Sequence, residues 1–244
     1  MKKIGTFGIT AALLLAGATA GAQDKVETTI ATDVVSQYYW RGQELGSISV
    51  QPTLGVAYKG FSLTGWGNVG LSDNTDTKEV DFTLGYENSG FHVSVTDYWF
   101  NYAGGTGSDP SNRYFHYDSH STNHVFEANV GYDFGPVALN WYTNFAGDDG
   151  ANKSGKRAYS SYFEVTAPFK LADVSWEASA GAVPYYTTFY SDNRSSGFAV
   201  CHVGLKATKD IKITDSFSVP VFASVAANPS SQKAYLLFGF TLRP

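Results

Sequence analysis

The stretch KEVDFTLGYE, residues 78–87, alternates apolar and polar side chains at nearly every step. Successive side chains of a β-strand point to opposite faces of the sheet. One face would carry Val80, Phe82, Leu84 and Tyr86, and the other Glu79, Asp81, Thr83, Gly85 and Glu87. Such a strand suits a sheet with an apolar environment on one side and a polar environment on the other.

The same period of two recurs along the chain and predicts twelve strands. We place them near residues 27–41, 47–58, 61–71, 78–87, 91–102, 123–134, 136–146, 157–167, 173–185, 198–208, 216–227 and 233–243. Short connections fall at residues 59–60, 88–90, 135, 168–172 and 209–215. Longer connections, generally rich in Gly, Ser, Asn and Asp, fall at residues 42–46, 72–77, 103–122, 147–156, 186–197 and 228–232.

Alternating short and long connections are typical of bacterial outer-membrane barrels, whose short turns are periplasmic. A sheet in hydrocarbon must close, because an unpaired edge has no water partner there. We therefore predict an all-β protein, a transmembrane antiparallel up-and-down barrel of about twelve strands. Its even strand number would put both termini in the periplasm.

The N-terminus has the pattern of a signal peptide. Lys2 and Lys3 precede an apolar, small-residue segment at residues 7–17, and Ala20-Gly21-Ala22 matches an A-x-A cleavage site. We predict a signal peptide at residues 1–22 and a single barrel domain at residues 23–244, exported to the outer membrane of a Gram-negative-type bacterium.

Composition narrows the partners. Without Lys2 and Lys3 the chain has 15 basic and 22 acidic residues, a net charge of −7, which disfavours nucleic-acid binding. Cys201 is the single cysteine, so no intramolecular disulfide forms. The expected partners are the lipid bilayer and small solutes, no cofactor is implied, and the oligomeric state stays open.

Aromatic residues cluster near the predicted strand ends, where a membrane barrel carries its aromatic girdles. The girdle positions we predict are Tyr38, Trp40, Trp99, Tyr132, Trp141 and Tyr185. A soluble β-sandwich also alternates and is the competing interpretation, but mid-strand charges here are mostly acidic, and most lysines lie in turns or loops.

Three segments resemble the opening of the TorF-type porin family of outer-membrane barrels. They are Ser36-Gln37-Tyr38-Tyr39-Trp40-Arg41-Gly42, Gln51-Pro52-Thr53-Leu54 and Tyr58-Lys59-Gly60-Phe61-Ser62-Leu63. Barrel patterning continues beyond them and includes Gly131-Tyr132-Asp133-Phe134-Gly135. The resemblance implies an outer-membrane barrel with pore activity and supplies no substrate or catalytic residue.

If the apolar faces meet lipid, the polar faces line an interior. The lumen residues we predict are Asp33, Asp81, Glu127, Asp133, Glu164, Glu177, His202, Lys206 and, near the outer rim, Arg41. An acidic wall attracts cations, so we expect a porin-like, weakly cation-preferring passage for small solutes. The alternative is a plugged structural or adhesive barrel, since small barrels are often filled.

An outer-membrane lipid hydrolase is a third interpretation, since His92 and Ser94 share a strand face, but no G-x-S-x-G elbow appears. We therefore expect no enzymatic activity. His116, His120 and His124 would share a helix face and could bind a metal, but their segment is predicted as a loop entering a strand, which favours no metal site. That loop, residues 103–122, covers the surface or enters the lumen.

Two further patterns are better explained by structure than by ligand binding. The string GWGNVG at residues 65–70 lies within a predicted strand, so it favours wall curvature over a dinucleotide site. Loop carboxylates at Asp73, Asp76, Asp148 and Asp149 follow no calcium-loop pattern. Pro52, Pro220 and Asp97 conflict with the predicted strands and require bulges, strand ends or a shifted phase.

Overall fold

The computed structural model describes residues 25–72, 76–101, 112–119, 121–190 and 197–244. The predicted signal peptide lies outside these residues. The strands are β1 (Glu27–Val35), β2 (Tyr38–Trp40), β3 (Gln43–Gly46), β4 (Ser49–Tyr58), β5 (Phe61–Gly70), β6 (Lys78–Asn88), β7 (Phe91–Asn101), β8 (His124–Asp133), β9 (Ala138–Gly147), β10 (Ser161–Leu171), β11 (Val174–Val183), β12 (Ala199–Lys212), β13 (Ser218–Asn228) and β14 (Lys233–Leu242). The described residues include no helix long and apolar enough to cross a membrane.

Twelve of these strands form one closed antiparallel barrel, which confirms the predicted architecture. Each wall strand pairs with its neighbour in chain order, and β1 closes the ring by pairing with β14. Val35 lies opposite Gly239 and Thr32 opposite Leu242 in that closing ladder. All strand edges of the wall are therefore satisfied without an exposed edge.

The first predicted strand is wrong in its second half. It ends at Val35, and residues 38–46 form a separate two-stranded sheet, β2–β3, between β1 and β4. The turn between β2 and β3 contains Arg41 and Gly42, which both have positive φ, at 47° and 86°. Two such residues favour the tight turn of a β-hairpin, so the chain reverses here instead of continuing. We call residues 38–46 the inner hairpin.

The tight turns of the wall use the same backbone geometry. Lys59-Gly60 and Ser89-Gly90 have φ values of 51° and 86°, and 52° and 88°. At the other end of the barrel lie the longer connections. We refer below to the tight-turn end and the long-loop end.

The two faces of the wall differ in polarity, as we predicted from the alternation in residues 78–87. On β6, Val80, Phe82 and Leu84 are exposed on the outside, while Glu79 and Asp81 are buried on the inside. Other strands repeat the exposed outer face with Ile30, Leu54, Leu63, Val95, Val130, Val225, Leu236 and Phe238. A belt of exposed aliphatic and aromatic residues therefore surrounds the barrel.

Strand boundaries shift where irregular pairing occurs. β10 begins at Ser161, later than predicted, because residues 157–160 belong to the preceding connection, where Arg157 bridges Ala151. A bulge opposite Gly181–Ala182 changes the phase of β12, so that Cys201 and His202 both contact interior residues. Bulges of this kind re-aim side chains on a barrel wall.

Candidate functional site

The interior at the long-loop end is organised around Arg41, at the tip of the inner hairpin. Its guanidinium forms a bidentate ion pair with Glu127 of β8, with Nη1–Oε2 at 2.5 Å and Nη2–Oε1 at 2.9 Å. Both residues are buried, at 4% and 2% exposure. Tyr98 donates its hydroxyl to Glu127 Oε1 at 2.9 Å. The pair thus ties the hairpin to the wall through charge-assisted hydrogen bonds.

Aromatic rings surround the guanidinium of Arg41. Its Cζ lies 4.5 Å from the ring centroid of Trp40, 3.8 Å from that of Tyr142 and 4.9 Å from that of Tyr162. Cation–π contacts at such distances stabilise a cation that has lost its water. Buried residues packed together at this level are Tyr38, Trp40, Tyr98, Phe100, Val125, Tyr142, Tyr162, Val183, Tyr190, Ala199 and Cys201. We call them the aromatic cluster.

The positions of Tyr38 and Trp40 differ from the predicted membrane girdle. Both are buried inside the barrel, in the aromatic cluster, because the inner hairpin turns them away from the wall. Arg41 likewise lies in the interior and not at the outer rim. Gly42 permits this close packing, since a Cβ at its position would lie 2.1 Å from the carbonyl oxygen of Cys201.

The four remaining girdle candidates lie on wall strands or next to them. Tyr132, Trp141 and Tyr185 are exposed, whereas Trp99 is half-buried and packs against Tyr114 with ring centroids 5.4 Å apart. Tyr185 donates its hydroxyl to the carbonyl oxygen of Tyr159 at 2.5 Å. The girdle role of these four residues remains a prediction.

A pair of carboxylates lies beside the inner hairpin on β6. Tyr38 donates its hydroxyl to Glu79 Oε2 at 2.7 Å, and Asp81 lies two residues further along the same inner face. Both carboxylates are buried. The sequence interpretation named Asp81 as a lumen residue but not Glu79, although Glu79 shares its alternation phase.

A second group of charges lies on the opposite side of the interior. Glu177 of β11 and Lys206 of β12 are directly opposed in the ladder. Lys206 Nζ lies 4.3 Å from the ring centroid of Phe222, and Asp33 of β1 accepts a hydrogen bond from Thr241 at 2.5 Å. The interior therefore carries a basic residue on this side among its acids.

His202 lies on the inside and bridges the wall to the inner hairpin. Its Nδ1 is 2.8 Å from the hydroxyl of Tyr39, and its Nε2 is 2.7 Å from Ser179 Oγ. Glu164 of β10 is buried on the inner face. Asp133 is exposed near the tight-turn end, where its Oδ1 accepts a hydrogen bond from the backbone N–H of Gly135 at 2.7 Å. The Asp133 carboxylate therefore lies at the rim of the barrel rather than in the interior.

Asp97 lies on the outer face of the wall, yet it is paired. Its Oδ1 is 2.7 Å from His124 Nδ1, and His124 Nε2 is 2.5 Å from the carbonyl oxygen of Tyr114. The ring of Tyr117 stacks on His124 with centroids 4.1 Å apart. Residues 114–117 therefore cover a polar pair on the outside of the barrel. Within the predicted 103–122 loop, residues 103–111 and 120 are outside the described residues.

These contacts also bear on the alternative sites considered from sequence. His116 Nε2 contacts Ser121 Oγ at 3.0 Å, and His120 lies outside the described residues. No group of three potential metal ligands occurs in the part of the chain that the structure describes. His92 Nε2 contacts Asn140 Oδ1 at 2.7 Å from the inner face, so this nitrogen is engaged by an amide, while Ser94 is buried on the same face.

The remaining sequence patterns have structural roles. Gly65–Gly70 lies within β5, which is a strand followed by another strand. Asp76 accepts hydrogen bonds from the backbone N–H and the hydroxyl of Ser47, at 3.0 and 2.7 Å. Asp73 lies outside the described residues, and Asp148 hydrogen-bonds through its backbone N–H to His124.

Asp149 pairs with Arg157 at 3.1 Å in the connection between β9 and β10. Burial raises the pKa of the Asp149 carboxyl above its usual range, and the nearby Arg157 guanidinium opposes that rise. The ion pair therefore ties the two ends of this connection together.

Comparisons with known proteins return solved structures of low sequence identity. No protein-family model matches the sequence, and no curated protein matches it. The NanC porin is 7% identical over 87% of this chain and 98% of that one, with a TM-score of 0.46. A chain solved in a study of in-meso crystallization of membrane proteins is 8% identical, over 90% and 83%, with a TM-score of 0.43.

CdiB from Acinetobacter baumannii is 11% identical, with a TM-score of 0.41, over 91% of this chain and 60% of that one. This chain therefore spans about 60% of the length of CdiB. All three scores lie below 0.5, so the barrel assignment depends on the strand pairing described above.

Proposed function

We propose that this protein is an outer-membrane barrel that gives small solutes a narrow, cation-preferring passage, constricted by the inner hairpin. The observation that carries the proposal is the contrast between the two faces of a closed wall. Outward residues of β6 such as Phe82 and Leu84 are exposed and apolar, while Glu79 and Asp81 face inward. A closed sheet with these faces suits lipid outside and water or solute inside.

The charge of the interior supports a preference for cations. Buried inward carboxylates occur at Glu79, Asp81, Glu127, Glu164 and Glu177. Arg41 and Lys206 are basic residues on the inner side, whereas other lysines in the inward phase, such as Lys170 and Lys233, are exposed at strand ends. Excess negative charge in a narrow passage with low-dielectric walls attracts cations and repels anions.

The inner hairpin supports a narrow passage rather than a wide one. Tyr38, Tyr39, Trp40 and Arg41 are all nearly inaccessible to solvent inside the barrel. A solute crossing at this level must therefore pass beside the aromatic cluster. This geometry fits selection of small solutes by size and charge.

Planar bilayer recordings test the passage. We expect the refolded chain to give small conductance steps and a reversal potential that favours potassium over chloride. In a matched variant, residues 37–47 are replaced by a two-residue Asn-Gly turn. Val35 and Ser49 are already opposite each other in the β1–β4 ladder, so a short turn can join them.

Removal of the hairpin should increase the conductance severalfold. If neither protein conducts above background, passive passage is wrong. The second candidate function, a plugged structural or adhesive barrel, would then be favoured, and the close packing of the inner hairpin is the observation that supports it. Conductance only in the shortened variant would also favour the plugged barrel.

The export route and orientation belong to the same proposal. We propose cleavage after Ala22, periplasmic termini and membership of the TorF-type porins, which the segments at residues 36–42, 51–54 and 58–63 suggest. The mature protein should begin at Gln23 by N-terminal sequencing. A tag inserted at Ser154, in the β9–β10 connection, should be cleaved by protease added to whole cells, whereas a C-terminal tag should be protected.

A further inference from the structure

Glu79 and Asp81 form a compact acidic site beside the inner hairpin. They lie two residues apart on the inner face of β6 and are 3% and 2% exposed. Tyr38 donates its hydroxyl to Glu79 Oε2 at 2.7 Å. Two carboxylates held this close and away from water repel each other unless a proton or a cation joins them.

Aromatic rings flank the two carboxylates. Trp66 of β5 and Tyr98 of β7 are the ladder partners of Asp81 on its two sides. The ring centroids of Tyr38 and Trp66 lie 5.7 Å apart. The carboxylates therefore lie among three rings that carry partial negative charge on their faces.

The side-chain neighbour of Asp81 is the carboxyl of Glu79, which offers no hydrogen-bond donor unless it is protonated. Both of its carboxylate oxygens are buried and lack a hydrogen-bond donor among the described residues. The buried guanidinium of Arg41 is already engaged by Glu127. A buried carboxylate without donors is costly, which indicates that something else compensates it.

Elsewhere in the same barrel, a buried carboxylate with aromatic neighbours binds a cation. Arg41 is bound by the Glu127 carboxylate and by the rings of Trp40, Tyr142 and Tyr162. The site at Glu79 and Asp81 offers the same chemistry, a carboxylate with aromatic neighbours. It differs in that the described protein supplies no cation to it.

We infer that Glu79 and Asp81 bind the ammonium or guanidinium head group of a small organic cation. The site deepens the proposed function and rests on it, since it names the class of solute that the passage favours. Carboxylates supply charge-assisted hydrogen bonds, and the rings of Tyr38, Trp66 and Tyr98 favour a weakly hydrated cation over a strongly hydrated metal ion.

The inner face offers small side chains between this site and the tight-turn end. On β6 these are Thr83 and Gly85, and on β7 they are Ser94 and Thr96. Thr83 and Thr96 hydrogen-bond each other at 3.0 Å across the ladder. A small solute that enters from the tight-turn end would therefore meet short polar side chains before reaching Asp81.

Methylguanidinium chloride is the probe for this site, added to the refolded chain at constant ionic strength. We expect millimolar binding, read as a change in the tryptophan fluorescence of the chain, to which Trp66 beside the site contributes, and as block of the potassium current. Asp81→Asn and Glu79→Gln should each weaken binding by about tenfold or more, because each removes a charge that contacts the head group. Neither substitution removes packing volume, and folding is checked by the heat-dependent mobility of the barrel on gels.

Glu87→Gln is the matched control, since Glu87 lies on the same face of β6 but is exposed near the tight-turn end. Its affinity should stay within about twofold of the unmodified chain, because an exposed charge is screened by salt. Equal binding by the Asp81→Asn variant, or no fluorescence change in the unmodified chain, would overturn the site; the carboxylates would then share a proton. Binding without any current would overturn the proposed passage and leave the site standing.

Discussion

Arg41 and Glu127 are 86 positions apart in the chain and form a bidentate ion pair inside the barrel, with Nη1–Oε2 at 2.5 Å and Nη2–Oε1 at 2.9 Å. The pair joins the tip of the inner hairpin to the wall strand β8. Burying two charges has a large desolvation cost that only good geometry offsets. The position of the hairpin therefore depends on both partners being present.

Removal of one partner of this pair should be strongly destabilising. We expect Arg41→Met or Glu127→Gln to lower the free energy of unfolding by about 3–5 kcal/mol, because the remaining group stays buried without its counter-ion. Urea unfolding in detergent micelles, followed by tryptophan fluorescence, measures the loss. In the double variant the two losses should be far from additive, since no unpaired charge remains.

The exposed pair of Arg243 and Asp210 is the control for this experiment. Its atoms lie 3.5 Å apart, and both side chains are largely solvated. Asp210→Asn should change the free energy of unfolding by less than about 1 kcal/mol. Similar losses at both pairs would contradict the role assigned to Arg41 and Glu127.

The inner hairpin also depends on Gly42. A Cβ there would lie 2.1 Å from the Cys201 carbonyl oxygen, and φ is +86°. Gly42→Ala should combine backbone strain with a steric clash and lower stability by more than about 2 kcal/mol. The folded fraction after refolding and the thermal midpoint report the change.

A substitution at Gly135 distinguishes backbone strain from steric clash. Its φ is +94°, but a Cβ at its position would meet nothing within 4 Å. Gly135→Ala should therefore cost only the strain of a positive φ, about 1 kcal/mol. If Gly42→Ala costs no more than Gly135→Ala, the hairpin does not pack against β12 as described.

If the outer belt lies in lipid, the cost of placing a charge on it should depend on the depth of that position in the bilayer. Leu84 in the middle part of β6 and Leu171 at the end of β10 are almost equally exposed, at 60% and 61%. In a bilayer, Leu84→Arg should cost about 2–4 kcal/mol and Leu171→Arg about 0–1 kcal/mol, since the cost of a charge depends on its depth in lipid. Refolding equilibria in lipid vesicles measure both, and equal costs would argue against a membrane belt.

The strand pattern was predictable because each wall residue faces one of two environments, the apolar outside or the polar inside of the barrel. Alternation in residues 78–87 separates Phe82 from Asp81 whatever the neighbouring strands are, so faces and strand positions follow from local sequence. The inner hairpin was missed because Tyr38-Tyr39-Trp40 continues an aromatic strand pattern. Only the Arg41-Gly42 pair, which can adopt a hairpin turn, signals the reversal.

Long-range pairings were beyond local sequence reasoning. Asp97 conflicted with an apolar outer face, and its partner His124 lies 27 positions away across the β7–β8 connection. Arg41 was predicted at the rim because nothing near it in sequence names Glu127 as its partner. Both cases require knowledge of register and of loop placement, which the alternation does not contain.

Selectivity should respond in opposite directions to the two members of the Glu177–Lys206 pair, which are directly opposed in the β11–β12 ladder. Lys206→Gln leaves Glu177 and Asp33 without a nearby cation, so the negative potential of the passage increases and the preference for potassium should rise. Glu177→Gln leaves Lys206 with Asp33 as its nearby carboxylate, so the negative potential decreases and that preference should fall. Reversal potentials across a potassium chloride gradient measure both changes, and high salt should reduce them by screening. Shifts of the same sign in the two variants would mean that permeating ions do not pass this pair.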